Sequence, residues 1–421
     1  MVISAFERLF PTHEVGSMRK LNATILALQR KRIPTIHLEE VRYWWEQLGI
    51  TDLNVEKFIQ LLRDPPSAEV ELPEWERQIL QGRLLFNIRL LESTGLDFVY
   101  TGEAFRREMY EHFAQDILGI FLEDHHIRSF DDRFYRPGVR MAESPIKRKH
   151  PISLEEFEYA KQVARRPLRL CLTGPYTIYD WTIKEQNSEE LFFELIKNVY
   201  IPETLDAIKA GAQLISLDEP ANTTKPYERE LFLEGYKEFF RSIGSKARDN
   251  NVKLGFHTCF SDNYKLLFED LPEIPWDCGS LEVANRDLKG RGTSDETRPA
   301  FKEALDMMVE AYNNGCRTKL TLGVLEVHAD KRFAQNEILS GSAEKELRNI
   351  IRDRVVYMGE YLYHHLGEDG PYYLMVGPDC GLRSVNDFKV LQMMLRAMVD
   401  GATEARNILM NRLSLPEYRQ I

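Results

Sequence analysis

His257 and Cys259 follow an apolar run, residues 252–256, that is typical of a buried strand arriving at a loop. Alternate residues of a strand point to the same side, so these two side chains are expected to face one way. An imidazole and a thiolate side by side at a strand end make half of a zinc site. Two further ligands from comparable positions would complete it.

Glu282 and Cys380 supply those ligands, since each follows another apolar run. Two thiolates, one imidazole and one carboxylate suit tetrahedral Zn²⁺ by their softness. Their three negative charges leave the sulfurs electron-rich, which favours activating an incoming thiol as thiolate over polarising water. A substrate sulfur could displace Glu282 or add as a fifth ligand. The alternative is a core histidine and buried cysteines that never meet.

Further polar groups stand at other strand ends. Glu103 and Asp218 could pair with a substrate ammonium group and so specify an amino acid, although Asp218 could equally cap a helix. His328 could act as a general acid, or be a hydrogen-bonded structural residue. Trp181 could stack on a planar ring, or pack in the core. These groups predict a binding site around the metal.

Eight short apolar runs alternate with longer helical patterns along the chain. Most lack polar alternation, as expected for strands that are buried on both faces of a parallel sheet. The pattern predicts an α/β fold, a (β/α)8 TIM barrel, in which chemistry is built at the carboxyl ends of the strands. The predicted strands are residues 14–17, 97–101, 168–173, 213–218, 253–258, 280–283, 319–324 and 372–376.

Two segments exceed a minimal barrel. Residues 18–96, after the first strand, predict a helical insertion with Trp44 and Trp45 as packing anchors. Residues 120–152, before the third strand, predict an excursion that includes a hairpin. The whole chain, 1–421, is expected to be one catalytic domain. The remaining predicted helices are residues 73–92, 189–210, 227–250, 297–314, 343–366 and 385–410.

The composition narrows the class of protein. A net charge of −11 over 421 residues argues against nucleic acid or an anionic membrane surface as partner. No run of about 18 apolar residues predicts a membrane span, and no signal peptide is expected. Five widely spaced cysteines favour a reducing cytoplasm. Motifs for dinucleotides, nucleotide phosphates or a serine nucleophile do not occur.

Short motifs stand at the predicted strand ends along nearly the whole chain. They are FPTHEVGS (10–17), GEAFRREM (102–109), LTGPYTI (172–178) with Trp181, LDEPA (217–221), HTC (257–259), Glu282, Gly323-Val324 with His328, and PDCGL (378–382). Together they resemble the catalytic C-terminal barrel of the cobalamin-independent methionine synthase family, in its single-barrel form.

The resemblance implies a zinc-dependent methyltransferase that converts homocysteine to methionine. It places the zinc ligands on His257, Cys259, Glu282 and Cys380. It places homocysteine binding on Ser17, Glu103 and Asp218, the proton donor on His328, and a folate-stacking ring on Trp181.

The chain departs from the family in ways that leave the methyl donor open. Full-length members carry a second, N-terminal barrel that helps to hold the folate, and this sequence shows no counterpart. The run after the Asp-Glu-Pro block also differs, at residues 221–226. A folate and a methyl-donor corrinoid protein therefore both remain possible partners. The alternatives are transfer of a methyl or alkyl group to another thiol, and a non-catalytic zinc-binding barrel.

Overall fold

A computed structural model gives the fold. It describes residues 5–106, 108–121, 128–130, 133–135, 142–182, 189–222, 225–259, 264–284, 299–327 and 341–421.

Four helices fill the segment before the main sheet. They are α1 (Asn22–Leu28), α2 (Thr35–Gln47), α3 (Val55–Arg63) and α4 (Leu72–Glu92). The ring of Trp45 stacks on Phe58 and Phe86, with centroids 5.1 and 6.1 Å apart. Trp44 meets Phe86 edge-on at 6.3 Å. Aromatic stacking adds to the burial energy of such rings, so the predicted helices and the packing role of both tryptophans are confirmed.

The next strand, β1 (Val99–Tyr100), lies at one edge of the main sheet, and an excursion follows it. The elements of the excursion are α5 (Met109–Ala114), β2 (Ile117–Ile120), β3 (Arg128–Phe130), β4 (Arg133–Tyr135) and β5 (Ala142–Arg148). β2 pairs antiparallel with β5, and β3 pairs antiparallel with β4. These pairs confirm the predicted hairpin.

The rest of the described chain alternates strands with helices. The elements are α6 (Leu154–Val163), β6 (Leu168–Thr173), α7 (Pro175–Trp181), α8 (Glu189–Leu195), α9 (Ile201–Lys209), β7 (Leu214–Asp218), α10 (Arg229–Asp249), β8 (Lys253–Thr258), α11 (Tyr264–Asp270), β9 (Cys278–Leu281), α12 (Pro299–Asn313), β10 (Lys319–Thr321), α13 (Ser342–Leu366), β11 (Leu374–Met375) and α14 (Phe388–Leu413). Seven of the strands form a curled parallel sheet in the order β1-β6-β7-β8-β9-β10-β11. β6 and β7 are buried along their whole length, as expected for strands of a parallel sheet that is buried on both faces.

Residues 11–13 connect the two edges of this sheet. The Val376 N–H donates to the Pro11 carbonyl at 2.9 Å, and the His13 N–H donates to the Val376 carbonyl at 3.0 Å. On the other side, the N–H groups of Asp97 and Phe98 both donate to the Thr12 carbonyl at 3.1 Å. The sheet therefore curls until a single short segment spans the gap between β11 and β1.

The predicted first strand, residues 14–17, is wrong in position. The hydrogen-bonded segment lies at residues 11–13, and residues 14–17 form a loop. The Glu14 carboxylate accepts from its own loop, at the Gly16 N–H, which uses that donor locally in place of a strand pairing.

Two further strands differ from prediction. β9 begins two residues earlier than expected, so Glu282 lies just past its end. β11 is short because residues Gly367–Tyr373 form a 3-10 helix. Within the described residues, no helix is both long and apolar enough to cross a membrane.

Candidate metal centre and active site

His257, Cys259 and Cys380 meet above the carboxyl ends of the parallel strands. His257 lies in β8, Cys259 directly after it, and Cys380 in the loop that follows β11. Their ligand atoms all lie within 4.8 Å of one another. His257 and Cys259 are buried and Cys380 is partly exposed. The structure thus brings three of the four predicted metal ligands into a group that could hold a metal ion.

The imidazole of His257 is oriented as a metal ligand would be. Nδ1 lies 3.2 Å from the Ser280 carbonyl and donates to it, which leaves the lone pair on Nε2. Nε2 is buried, and no described group bonds to it. Burial and the Arg169 charge lower the pKa of His257 to about 3, so the ring is neutral. A neutral imidazole that is held through its other nitrogen is the usual form of a ligating histidine.

The raised pKa of the Cys259 thiol is a second indication that this group could bind a cation. A hydrogen bond with Cys380, then burial, then the charges of Cys380 and Glu282 raise the pKa of Cys259 well above its ordinary value. Two thiolates and a carboxylate repel one another at such distances, so a nearby positive charge is needed before all can ionise. A dication supplies that charge, and the donor set therefore fits a metal ion.

Glu282, the fourth predicted ligand, lies beside this group and not within it. Its side chain is buried, and its negative charge reaches Cys259. Its backbone N–H donates to the hydroxyl oxygen of Tyr264 at 2.9 Å, which fixes the chain as it leaves β9. The carboxyl group therefore lies near the three residues that could hold a metal ion.

Asp379 connects the two loops that carry Glu282 and Cys380. One carboxylate oxygen accepts from the N–H groups of Val283 and Ala284, at 3.0 and 2.9 Å. Gly323, with φ of +46°, leaves the room that this requires, since a Cβ there would lie 2.2 Å from the same oxygen. Sequence reasoning missed this residue, and the available signal was an acidic residue directly before a ligand cysteine.

Asp218 and Glu103 lie near enough for their charges to interact. Burial and then the Glu103 charge raise the pKa of Asp218 to about 7. Asp218 Oδ1 is buried and receives no hydrogen bond from any described group. Asp218 does not cap a helix; it is the last residue of β7.

Glu103 has a strained backbone. Its φ of +54° is uncommon for a residue with a side chain. Its carboxylate lies 3.6 Å from the Arg106 guanidinium, which is itself buried. Such strain recurs at functional sites, where the surrounding structure holds it in place.

Glu219 has a different role from its neighbour Asp218. Its carboxylate accepts from the Tyr176 and Thr177 N–H groups, at 2.9 and 2.7 Å, and from the Thr177 and Tyr236 hydroxyls. These amides begin helix α7, where an anion is favoured. Sequence reasoning did not predict this structural role for Glu219, because its partners are distant in sequence.

The three remaining predicted residues are placed less fully. The loop at Ser17 packs against Gly381, beside Cys380: a Cβ on Gly381 would lie 2.9 Å from the Ser17 nitrogen and hydroxyl oxygen. Trp181 ends helix α7 with only 3% of its surface exposed, its ring centroid 6.2 Å from that of Tyr110. His328 lies outside the described residues, since that part of the chain is described up to residue 327 and again from residue 341.

Comparisons with known proteins agree with this geometry. Residues 69–404 match the family described as "Cobalamin-independent synthase, Catalytic domain". A methionine synthase of Thermoplasma volcanium is 30% identical over 328 residues, covering 75% of this chain and 86% of the relative. A 5-methyltetrahydropteroyltriglutamate–homocysteine methyltransferase of Vibrio cholerae is 26% identical over 404 residues, covering 92% of this chain and 47% of the relative.

A solved structure shares the fold. The B12-independent methionine synthase from Shewanella sp. W3-18-1, in complex with selenomethionine, aligns with a TM-score of 0.64 at 17% identity. The alignment covers 96% of this chain and 99% of that one. Fold and sequence together define a cobalamin-independent synthase catalytic domain. The chain belongs to the cobalamin-independent methionine synthase family, which confirms the predicted family and its class of enzyme, a methyltransferase.

Proposed function

We propose that this protein transfers a methyl group to the thiol of homocysteine to give methionine, at a zinc site made by His257, Cys259, Cys380 and Glu282. The observation that carries the proposal is the convergence of two thiols on a buried imidazole nitrogen without a described partner. Soft sulfur ligands with an imidazole select zinc among the abundant divalent ions. Zinc bound there supplies a Lewis acid that keeps a thiol deprotonated at neutral pH.

The protein's own residues bind and orient the acceptor. The Asp218 and Glu103 carboxylates accept hydrogen bonds from the N–H groups of the substrate ammonium, and the unpartnered Oδ1 of Asp218 supports this role. The loop at Ser17 adjoins Cys380 through Gly381, so its backbone can contact the substrate carboxylate. Binding both ends of the amino acid holds its sulfur at one position, which lowers the entropic part of the barrier.

His328 and Trp181 keep the roles that the motifs imply. His328 is proposed to supply the proton to the leaving group, and the family resemblance supports it. Trp181 is proposed to stack on a planar donor ring. The Trp181 ring is buried in this structure, so the ring must expose one face at the carboxyl ends of the strands before it can stack on a donor.

We also propose that the chain forms one (β/α)8 barrel over residues 1–421, with residues 18–96 as a helical insertion. Residues 11–13 would be the first strand. Their hydrogen bonds to β11 on one side and to residues 97–98 on the other support this closure. The five cysteines, all free, are suited to a reducing cytoplasm.

For the donor, we propose a methyltetrahydropteroyl glutamate. The name of the V. cholerae relative supports a pterin, although this chain covers less than half of that protein. The comparisons give no support to a methyl-donor protein.

The test is methionine formation by zinc-loaded protein. Homocysteine is supplied with 5-methyltetrahydropteroyltriglutamate in one reaction and with methylated corrinoid protein in another, and methionine is measured by mass spectrometry. We expect methionine with the pterin, and none after chelation of zinc. Equal turnover by metal-free protein would overturn the zinc proposal, and turnover with the corrinoid alone would overturn the donor.

A further inference from the structure

We propose that Glu14 is a third acceptor for the substrate ammonium group, together with Glu103 and Asp218. This inference rests on the proposed function, because it assigns a further specificity-determining residue to the same amino-acid site. It predicts that the site selects a primary α-ammonium group with three N–H donors.

The loop that carries Glu14 is fixed inside the sheet. Arg169 donates through Nη1 to the Glu14 carbonyl at 3.2 Å and through Nη2 to the Ser216 hydroxyl at 2.6 Å. The Cys171 thiol lies 3.6 Å from the Val15 carbonyl oxygen. Ser216 precedes Asp218 by two residues in β7, so the two side chains share one face of the strand. The Glu14 loop therefore lies on the face of β6 and β7 that carries Asp218.

The Glu14 carboxyl group lies within electrostatic reach of both other carboxyls. Burial raises its pKa to about 8, Arg169 opposes the rise, and the charges of Glu103 and Asp218 add to it. The side chain is only 1% exposed. The charges of the three buried carboxyl groups thus act on one another.

Two oxygens of this group have no described donor. Glu14 Oε2 accepts from the Gly16 N–H at 2.9 Å, but Oε1 is buried and unpartnered. Asp218 Oδ1 is also buried and unpartnered. The described hydrogen bonds of Arg169 go to His13, the Glu14 carbonyl and Ser216, and none goes to the Glu14 carboxylate. Because an unpaired buried acceptor destabilises the fold, two of them at one site favour a ligand with donors.

An ammonium group fits these acceptors in number as well as charge. It presents three N–H donors and no acceptor. Glu103 and Asp218 account for two donors, and Glu14 Oε1 is the buried acceptor that remains for the third. A thiol without the amino group would leave Glu14 Oε1 and Asp218 Oδ1 without a hydrogen-bond donor.

Product binding tests the inference without a methyl donor. Isothermal titration compares L-methionine with 4-(methylthio)butanoate, which lacks only the amino group, on zinc-loaded wild-type protein and on Glu14→Gln. We expect Glu14→Gln to weaken methionine binding at least about tenfold, as for loss of one hydrogen bond to a charged group, and to leave the deaminated ligand unchanged. An unchanged affinity ratio would overturn the role of Glu14.

Glu203→Gln is the matched control. Glu203 is an equally buried carboxylate, but it accepts from Ile152, Ser153 and Arg148 away from the site. It should keep the wild-type ratio between the two ligands, which separates loss of an acceptor from general loss of stability.

A second measurement uses wild-type protein alone, so it holds even if Glu14→Gln does not fold. N-methyl-L-methionine has one N–H donor fewer, and we expect it to bind at least about tenfold more weakly than methionine. Equal binding would overturn three-acceptor recognition. Wild-type protein that does not prefer methionine to its deaminated analogue would overturn the proposed amino-acid site itself, whereas a preference that is undiminished in Glu14→Gln overturns this inference only.

Discussion

Asp218 and Glu219 are neighbours in sequence, equally buried, yet they belong to two different regions of the molecule. Burial raises the pKa of both carboxyls to about 7, so acidity alone does not separate them. Glu219 faces helix α7 and accepts from two amides and two hydroxyls. Asp218 faces the interior of the sheet, and its Oδ1 has no described partner.

The same contrast extends beyond this pair. Glu203 and Asp379 accept hydrogen bonds from backbone amides and hold loops together, as Glu219 does. Glu14 and His257, like Asp218, leave a buried polar atom unpartnered. Buried polar groups in folded proteins are nearly always paired. The two regions therefore differ in hydrogen-bond satisfaction and not in burial, and this difference supports the ligand-binding roles proposed for the unpartnered groups.

The largest expected effect is on the metal itself. Cys380→Ser replaces a soft thiolate with a hydroxyl and should weaken zinc binding by more than about a hundredfold, with loss of methyl transfer. Zinc content after dialysis against a chelator measures it. Cys316→Ser, at a buried thiol outside the group, should keep its zinc. Equal zinc in both variants would contradict the assignment.

Asp218→Asn tests the unpartnered side of the comparison. We expect kcat/KM for homocysteine to fall by about a hundredfold, mainly through KM, because the ammonium group is bound alike in ground and transition states. The melting temperature should be unchanged or higher, since an uncompensated buried carboxyl is removed. Steady-state kinetics and calorimetry measure both. A lower melting temperature with unchanged KM would place Asp218 among the structural carboxyls.

Glu219→Gln tests the partnered side. A neutral amide cannot accept from all four donors, so the free energy of unfolding should fall by about 1–3 kcal/mol. The KM for homocysteine should remain near that of wild-type protein well below the melting temperature. Denaturant unfolding followed by kinetics at low temperature measures the two effects. Unchanged stability with a raised KM for homocysteine would contradict the distinction between Glu219 and Asp218.

Asp379→Asn tests the connection between the ligand loops. Removing the charge that holds the Val283 and Ala284 amides should weaken zinc binding by about ten- to thirtyfold, as for residues that support ligands. Competition with a zinc indicator measures it. Unchanged affinity would show that Glu282 needs no such support.

The smallest expected effect is on pH dependence. A carboxyl with a raised pKa loses its charge as the pH falls through that value, so Asp218 becomes a poorer ammonium acceptor below about pH 7. Between pH 8 and pH 6, kcat/KM for homocysteine should fall by about tenfold. Asp218→Asn should weaken this dependence, and Glu14, whose pKa burial raises to about 8, should account for the part that remains. Zinc content is measured at each pH, because acid also protonates the ligands.

Much of this arrangement could be predicted from local sequence. Strands β6 and β8 have the predicted bounds, residues 168–173 and 253–258, because continuous apolar runs between polar breaks define a buried strand. The His257–Cys259 spacing places both ligands on one side of a strand end. Cys380 joins them because parallel strands end at the same edge of the sheet.

The rest depends on contacts between distant residues. Residues 11–13 pair with β11 and with residues 97–98, which are distant in sequence. The neighbouring run at residues 14–17 therefore led to a strand prediction in the wrong place. Asp379 and Glu219 resemble any acidic residue in sequence, and only their partners in other loops show that they hold the fold. Nothing in the sequence indicates that an oxygen of Glu14 lacks a hydrogen-bond partner. This becomes apparent only in the fold, where the charges of Arg169 and Asp218 act on the carboxyl group.

The most direct test of the central claim is zinc X-ray absorption before and after homocysteine is added. Without substrate, the shell should contain two sulfurs, from Cys259 and Cys380. With homocysteine, a third sulfur should enter at about 2.3 Å, and 4-mercaptobutanoate, which lacks the ammonium group, should need a much higher concentration to do the same. A sulfur count that stays at two when homocysteine is bound would contradict thiol activation by the metal.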